Sequence, residues 1–196
     1  YLSESGALYP FHIVADHELP DGRHIHFRAI KPSDEEEMRR LFYRFSDRTV
    51  YYRYFSEIKA MPHEKMQEYV NVDYRRIMSI VGVVDEAGGE RIVAEGRYVR
   101  QEEGVFGDTA FVVAEEYQGK GIASRLLQML MEEAVKKGLR GFTADVLADN
   151  KTIIRVYEKA GLPMQASMEH GVYHLTLPFP ESGVREDYPH ERQENS

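Results

Sequence analysis

The sequence predicts a layered α+β domain, an α/β/α arrangement in which a central, mixed but mostly antiparallel sheet is flanked by helices. Three observations predict it. Two β-branched runs, Ile77 to Val84 and Arg91 to Val99, are separated only by Asp85-Glu86-Ala87-Gly88-Gly89, the pattern of a hairpin with a glycine turn. From Ile122 to Lys137 the apolar positions Ile122, Leu126, Met129, Leu130 and Ala134 recur at helical spacing, and Gly138 stands where a helix would end. After that come a strand over Phe142 to Leu147, a helix over Thr152 to Ala160 ended by Gly161, and a closing strand pair around Gln165 to Met168 and Val172 to Leu177.

The front of the chain reads as follows. His12-Ile13-Val14 and His24 to Ile30 predict strands joined through the turn formers Leu19-Pro20-Asp21-Gly22. Ser33, followed by Asp34, Glu35 and Glu36, predicts a helix start, because a serine side chain accepts from free backbone N–H groups and acids complement the dipole. Met38, Leu41, Phe42 and Phe45 form its buried face by spacing. The aromatic cluster Tyr51, Tyr52, Tyr54 and Phe55 follows, and Pro62 opens a helix through Val70. Gly104 to Gly107 predicts a turn and Thr109 to Ala114 a further strand. Residues 1–22 read as a lead-in or linker with a short strand, 23–178 as the core domain, and 179–196 as a solvated tail, being charged and without apolar period.

Composition narrows the function classes. The 196 residues carry 42% hydrophobic content, enough for one sizeable core. No apolar run reaches eighteen residues and no basic-then-apolar leader opens the chain, which predicts neither membrane span nor secretory signal and a cytoplasmic protein. With zero cysteines there is no disulfide, thiolate metal site or cysteine nucleophile. A net charge of −8 argues against nucleic acid and suits amine-bearing or basic partners. His24-x-His26 shares a strand face but lacks a third ligand at recognisable spacing, so no metal is expected. Tyr1 in place of Met leaves room for a longer, multidomain parent chain.

The chemistry concentrates at Gln118-Gly119-Lys120-Gly121-Ile122-Ala123, between a strand and a helix. Glycines before a helix let backbone N–H groups point into one hollow, and the helix N-terminus adds positive potential, so the junction suits a pyrophosphate. Lys120 and Arg125 add local positive charge. By itself a G-x-G fragment reads first as an ordinary glycine turn and helix cap. Its surroundings decide: Gln118-x-x-Gly121-x-Ala123 resembles the Q/R-x-x-G-x-G/A acetyl-CoA signature of the GCN5-related N-acetyltransferases (GNAT). The stretch Asn150 to Leu162 resembles their N-x-x-A-x-x-x-Y-x-K-x-G-F pattern, with Ile153 and Leu162 in place of Ala and Phe. Tyr9-Pro10, Leu19-x-Asp21-Gly22, Arg28-x-Ile30-x-Pro32-x-Asp34 and the aromatic run near residues 46–55 resemble bacterial protein lysine acetyltransferases fused to acyl-CoA-handling domains.

The resemblance implies a GNAT fold whose splayed strands hold acyl-CoA, with acetyl-CoA as co-substrate contacted by Val112, Val113, Gln118, Gly119, Lys120, Gly121, Ile122, Ala123, Ser124, Asn150 and Tyr157. A lysine-like amine, with a pKa of about 10.4, is neutral in only about one molecule in 2,500 at pH 7, a deficit of about 4.6 kcal/mol, so a general base helps. The family places a carboxylate at the start of the strand before the pyrophosphate loop, which by counting is Asp108, with Glu95 on the neighbouring strand as the reserve. Asp108 after Gly107 is equally readable as a turn residue. Tyr157 matches the family tyrosine beside the coenzyme sulfur, a general acid, although helical periodicity alone reads it as core. Counting assigns the oxyanion donor to the Val112 N–H. With no Ser–His–acid set to single out, direct attack by the amine in a ternary complex is expected. The acceptor is left between a protein lysine and a small amine, beside a third reading as a non-catalytic acyl-CoA sensor.

Overall fold

A computed structural model of the chain describes residues 8–54 and 63–180. Two strands open it, β1 (Val14–Glu18) and β2 (His24–Ala29), paired antiparallel through the turn at Gly22. The first strand begins two residues later than the sequence predicts, because His12 is consumed by tight turns in which Ile13 donates to Pro10 and Val14 to His12. Three helices follow: α1 (Glu35–Arg44), α2 (Asp47–Tyr54) and α3 (His63–Val70). Phe55 and Pro62 fall outside the described residues, as do residues 1–7 and 181–196 of the predicted lead-in and tail.

The start of α1 corrects the expectation for Ser33. Pro32–Asp34 forms a 3-10 turn, and Asp34 becomes the N-cap of α1 without a side-chain cap bond to that helix, its carboxylate reaching back to accept from the Lys31 N–H at 2.7 Å. Asp34 is buried and held bidentately by Arg28 at 2.7 and 2.8 Å. A charge-assisted pair recruited from β2 wins over a neutral hydroxyl.

The long hairpin β3 (Ile77–Glu86) and β4 (Gly89–Arg100) turns at Ala87-Gly88, with Gly89 at φ +112. β5 (Phe106–Val113) starts before the predicted turn has ended, so Gly107 and Asp108 are strand residues and Asp108 is no turn residue. Then come α4 (Ile122–Lys136), β6 (Gly141–Leu147), α5 (Lys151–Glu158), β7 (Gln165–Glu169) and β8 (Val172–Pro178). They form one eight-stranded sheet in the order β1-β2-β3-β4-β5-β6-β8-β7, in which the β5–β6 pair is parallel and the others antiparallel.

Alternation along β4 assigns the helices to faces. A Cβ on Gly96 would sit 2.8 Å from the Phe111 ring and 3.3 Å from Leu126 Cβ, so that face receives α4. Glu95 and Arg97 turn the other way and hydrogen-bond Tyr69 of α3. The core therefore lies on both sides of the sheet, with Phe27, Ile80, Tyr98, Phe142, Leu126 and Leu130 on the α4 side and Val81, Leu41 and Met66 among the front helices.

The feature that makes a site is a parting of strands. β5 and β6 pair only at Phe106↔Gly141, Gly107↔Phe142 and Asp108↔Thr143. Beyond that rung β5 stays with β4 as far as Val113, while β6 stays with β8 as far as Leu147. The closed end depends on Gly141, where a Cβ would collide with the Phe106 ring and lie 2.8 Å from the Leu177 carbonyl. Gly141→Ala is accordingly expected to cost about 1–3 kcal/mol through overpacking, read as a lower melting temperature.

Candidate active site

The parted strands open a cavity of about 970 Å³, at the upper end for a small-molecule site. Thr109 to Val113 form one wall, Asp145 and Val146 the other, residues 149–157 of the α5 region the back, and Ser46, Thr49 and Arg53 of the α2 region the front. The main chain of β5 supplies donors to it. Ala114 donates to the Val93 carbonyl and Gln101 to that of Phe106, which fixes the phase of the β4–β5 ladder at both ends. In that phase even-numbered β5 residues exchange hydrogen bonds with β4 and odd-numbered ones face the gap. The Val112 N–H, expected from counting to face the substrate, is thus turned to Glu95 of β4. The N–H groups of Phe111 and Val113 are the ones that point into the cleft.

At the wide end of the gap, Gly119 (φ +74) and Gly121 (φ +80) take left-handed conformations that favour glycine, and Gly121 is the N-cap of α4 without a side-chain cap. Arg125 is the first residue of the helix to donate back, to Gly121. The N–H groups of Ile122, Ala123 and Ser124 therefore end a fifteen-residue helix with no intrahelical acceptor, facing the cavity they line. Gln118 anchors the approach by donating to the Val113 carbonyl at 3.0 Å. Positive side chains on the lining are Arg48, Arg53, Lys151, Arg155 and Lys159, against Glu115, Asp145 and Asp149, so the cavity is cationic in a molecule of net charge −8. Lys120 and Arg125 lie outside that lining, although Gly119 and Gly121 on either side of Lys120 belong to it.

Asn150 caps α5, its side chain accepting from Ile153 N–H at 3.4 Å while it borders the cavity. Tyr157 is 1% exposed on the inner face of α5, packed edge-on to Phe111 at 5.9 Å. Its hydroxyl is 2.6 Å from Thr109 Oγ1. Burial pushes the phenol up, so it stays protonated.

The two carboxylates picked from the sequence share the face opposite Tyr157 but differ in surroundings. Glu95 is fully buried and satisfied, accepting from Ser79 (2.6 Å), Arg97 Nε (2.6 Å) and the Tyr69 hydroxyl (2.9 Å). Asp108 lies at the last paired rung, exposed, accepting from Thr143 Oγ1 at 3.0 Å. Its crowded surroundings raise its carboxyl pKa by desolvation and Asp145 adds to this, while the Thr143 hydrogen bond and Arg53 oppose it. Neither carboxylate lines the cavity itself; Asp145 does, paired with His174 Nδ1 at 2.5 Å across β6 and β8. Sequence reasoning missed Asp145 and Thr109, and the only trace of Asp145 there was its polar position in the alternation of β6; Arg53, beside the aromatic cluster that the sequence offered as a cleft wall, does line the cavity. No three His, Asp or Glu side chains gather as a metal site among the described residues, and no described helix is long and apolar enough to cross a membrane.

A cleft between parting parallel strands, with an uncapped glycine-led helix at one end and a buried tyrosine at the other, defines an acyl-CoA-dependent acyltransferase. The family described as the Acetyltransferase (GNAT) family matches residues 34–162, and the chain belongs to it; it is an N-acetyltransferase with acetyl-CoA as co-substrate. It is 31% identical over 131 residues to an acetyltransferase of Pseudomonas aeruginosa, covering 65% of this chain and 70% of that protein. It is 32% identical over 146 residues to the acetyltransferase Pat of Mycolicibacterium smegmatis, covering 74% of this chain but only 43% of Pat. Among solved structures it resembles the GNAT domain of S. lividans PAT, with a TM-score of 0.78 and 29% identity over 88% of this chain and all of that one. It also resembles a cAMP-binding acyltransferase from Mycobacterium smegmatis, with a TM-score of 0.59 and 25% identity over 85% of this chain and 47% of that one.

Proposed function

We propose that the protein transfers an acetyl group from acetyl-CoA to the side-chain amine of a lysine on another protein, by direct attack in a ternary complex. The observation that carries this reading is the position of the two faces: Tyr157 stands on one side of the gap and Asp108 on the other, with the Phe111 and Val113 N–H groups between them. A pantetheine arm laid along β5 from the α4 end brings its thioester to the narrow end of the cleft. There the Phe111 N–H meets the oxygen that gains charge in the tetrahedral transition state. Asp108 accepts the amine proton, its raised pKa bringing it nearer the working range of a base. Tyr157 meets the departing sulfur. Glu95, already satisfied by three donors, is the second candidate for the base, since it lies on the same face one strand away.

Support for a protein acceptor comes from the face that carries Asp108. It continues over β6 and β8 through Asp145 and His174 as solvent-exposed sheet surface, negative and open, which suits a cationic side chain on a folded partner better than an enclosed small amine. The resemblance to protein lysine acetyltransferases points the same way, and a place in a longer chain and in the cytoplasm goes with it. Incubation with acetyl-CoA and parallel panels of folded proteins and small amines, followed by mass spectrometry, is expected to show acetyl-lysine on proteins; acetylation of small amines alone refutes the protein reading. Calorimetry should detect coenzyme A binding, weakened about tenfold by Gly121→Ala, because a Cβ at φ +80 costs about 1–2 kcal/mol.

A further inference from the structure

Thr109 and Tyr157 meet where β5 parts from β6, both buried, at 4% and 1% exposure. At 2.6 Å either hydroxyl is a possible donor. The third group resolves the direction: Thr109 Oγ1 is 2.9 Å from the Thr143 carbonyl. A carbonyl only accepts, and a threonine hydroxyl has a single proton. Thr109 therefore donates to Thr143, and Tyr157 donates to Thr109. In this state the phenol shows the cleft a lone pair, whereas a departing thiolate needs its proton.

We propose that Thr109 is a positioning residue that switches Tyr157 between two hydrogen-bonded states during acetyl transfer, an inference that rests on the reaction proposed above. Before reaction, Thr109 accepts from Tyr157 and fixes its ring. As the C–S bond breaks, its electron pair leaves on sulfur and the Tyr157 O–H turns toward it. The Thr109 O–H swings from the Thr143 carbonyl to the phenol oxygen. The phenol proton passes to sulfur, giving the thiol, and solvent returns a proton to Tyr157, balancing the one the amine lost to Asp108. The Thr109 hydrogen bond is what makes the transient phenolate tolerable in a buried place, since donation to the charged form favours it.

The test compares Thr109→Val, which keeps shape and removes the hydroxyl, with Thr109→Ser, which keeps the hydroxyl. Thr109→Val should lower kcat about fivefold to tenfold, the worth of one buried hydrogen bond, with acetyl-CoA affinity unchanged. Thr109→Ser should restore kcat to within about twofold, and Thr109→Val combined with Tyr157→Phe should be no slower than Tyr157→Phe alone. Full activity of Thr109→Val, no rescue by serine, or additive losses would each overturn the switch. A second readout needs no turnover. In protein labelled with ¹³C at tyrosine Cζ, the Tyr157 resonance, assigned by its loss in Tyr157→Phe, should move more with coenzyme A than with desulfo-coenzyme A. Equal movement overturns the switch even if the parent protein acetylates no amine, an outcome that would instead remove the proposed reaction. Failure of coenzyme A to bind overturns both.

Discussion

Asp108→Asn is expected to lower kcat about 10²- to 10⁴-fold, the usual contribution of a general base, while leaving the affinity for coenzyme A nearly unchanged. The carboxyl lies at the last β5–β6 rung and outside the cavity lining, so its loss removes no coenzyme contact. Its pKa is raised above the ordinary value by desolvation, the leading cause, with Asp145 adding to it. The acid limb of the parent's kcat/KM profile should accordingly sit above the ordinary carboxylate range and vanish in the variant. Stability supplies the sign test. A carboxyl whose folded pKa is raised binds more protons folded than unfolded, so its contribution is fully present below the unfolded pKa and is lost as pH rises through the folded value. At pH 7 the ionised Asp108 opposes folding, and Asp108→Asn should melt no lower than the parent there. A variant that keeps turnover removes Asp108 from the chemistry, and Glu95→Gln becomes the informative substitution.

Arg97→Met is expected to be the most destabilising change on the acceptor face. It strips the Glu95 carboxylate, 0% exposed, of its 2.6 Å ion-pair partner and removes the guanidinium stacked 3.3 Å over the Tyr69 ring. Leaving one member of a buried pair uncompensated costs about 3–5 kcal/mol. At roughly 2–4 °C per kcal/mol for a domain of this size, thermal melting should fall by about 6–20 °C. Replacing both charges, as Glu95→Leu with Arg97→Met, should cost less than Arg97→Met alone, because no buried charge is left behind. A double variant as unstable as the sum of the singles would show that the two side chains are not coupled. Tyr69 joins Glu95 to Arg53 of the cavity lining through hydroxyl contacts of 2.9 and 2.8 Å, so the buried ion pair and the cavity wall share one network.

Much of the fold was legible because its signals are local. The glycine turn between β3 and β4 and the apolar spacing of α4 are set by residues close in sequence, and Gly138, at φ +79, ends α4 where the pattern ends. The boundaries that slipped did so for tertiary reasons. The start of α1 passed from Ser33 to Asp34 because Arg28, a strand away, holds that carboxylate. β5 began before Thr109 because Phe106 finds a partner in Gly141, 35 residues onward, which no local pattern announces.

The site divides in the same way. By itself the sequence determined the glycine-led N-terminus of α4, since a run of free main-chain donors is encoded by the few residues that create it, and it carried Asn150 and Tyr157 in the pattern whose resemblance implied the coenzyme. Only the tertiary structure decided which β5 amides face the gap, that Thr109 holds Tyr157, that Arg53 and Asp145 reach the cleft, and that Glu95 is sealed while Asp108 stays open. Those outcomes depend on ladder phase and on burial by distant elements. A ladder shifted by one residue exchanges every donor and every side chain between cleft and core.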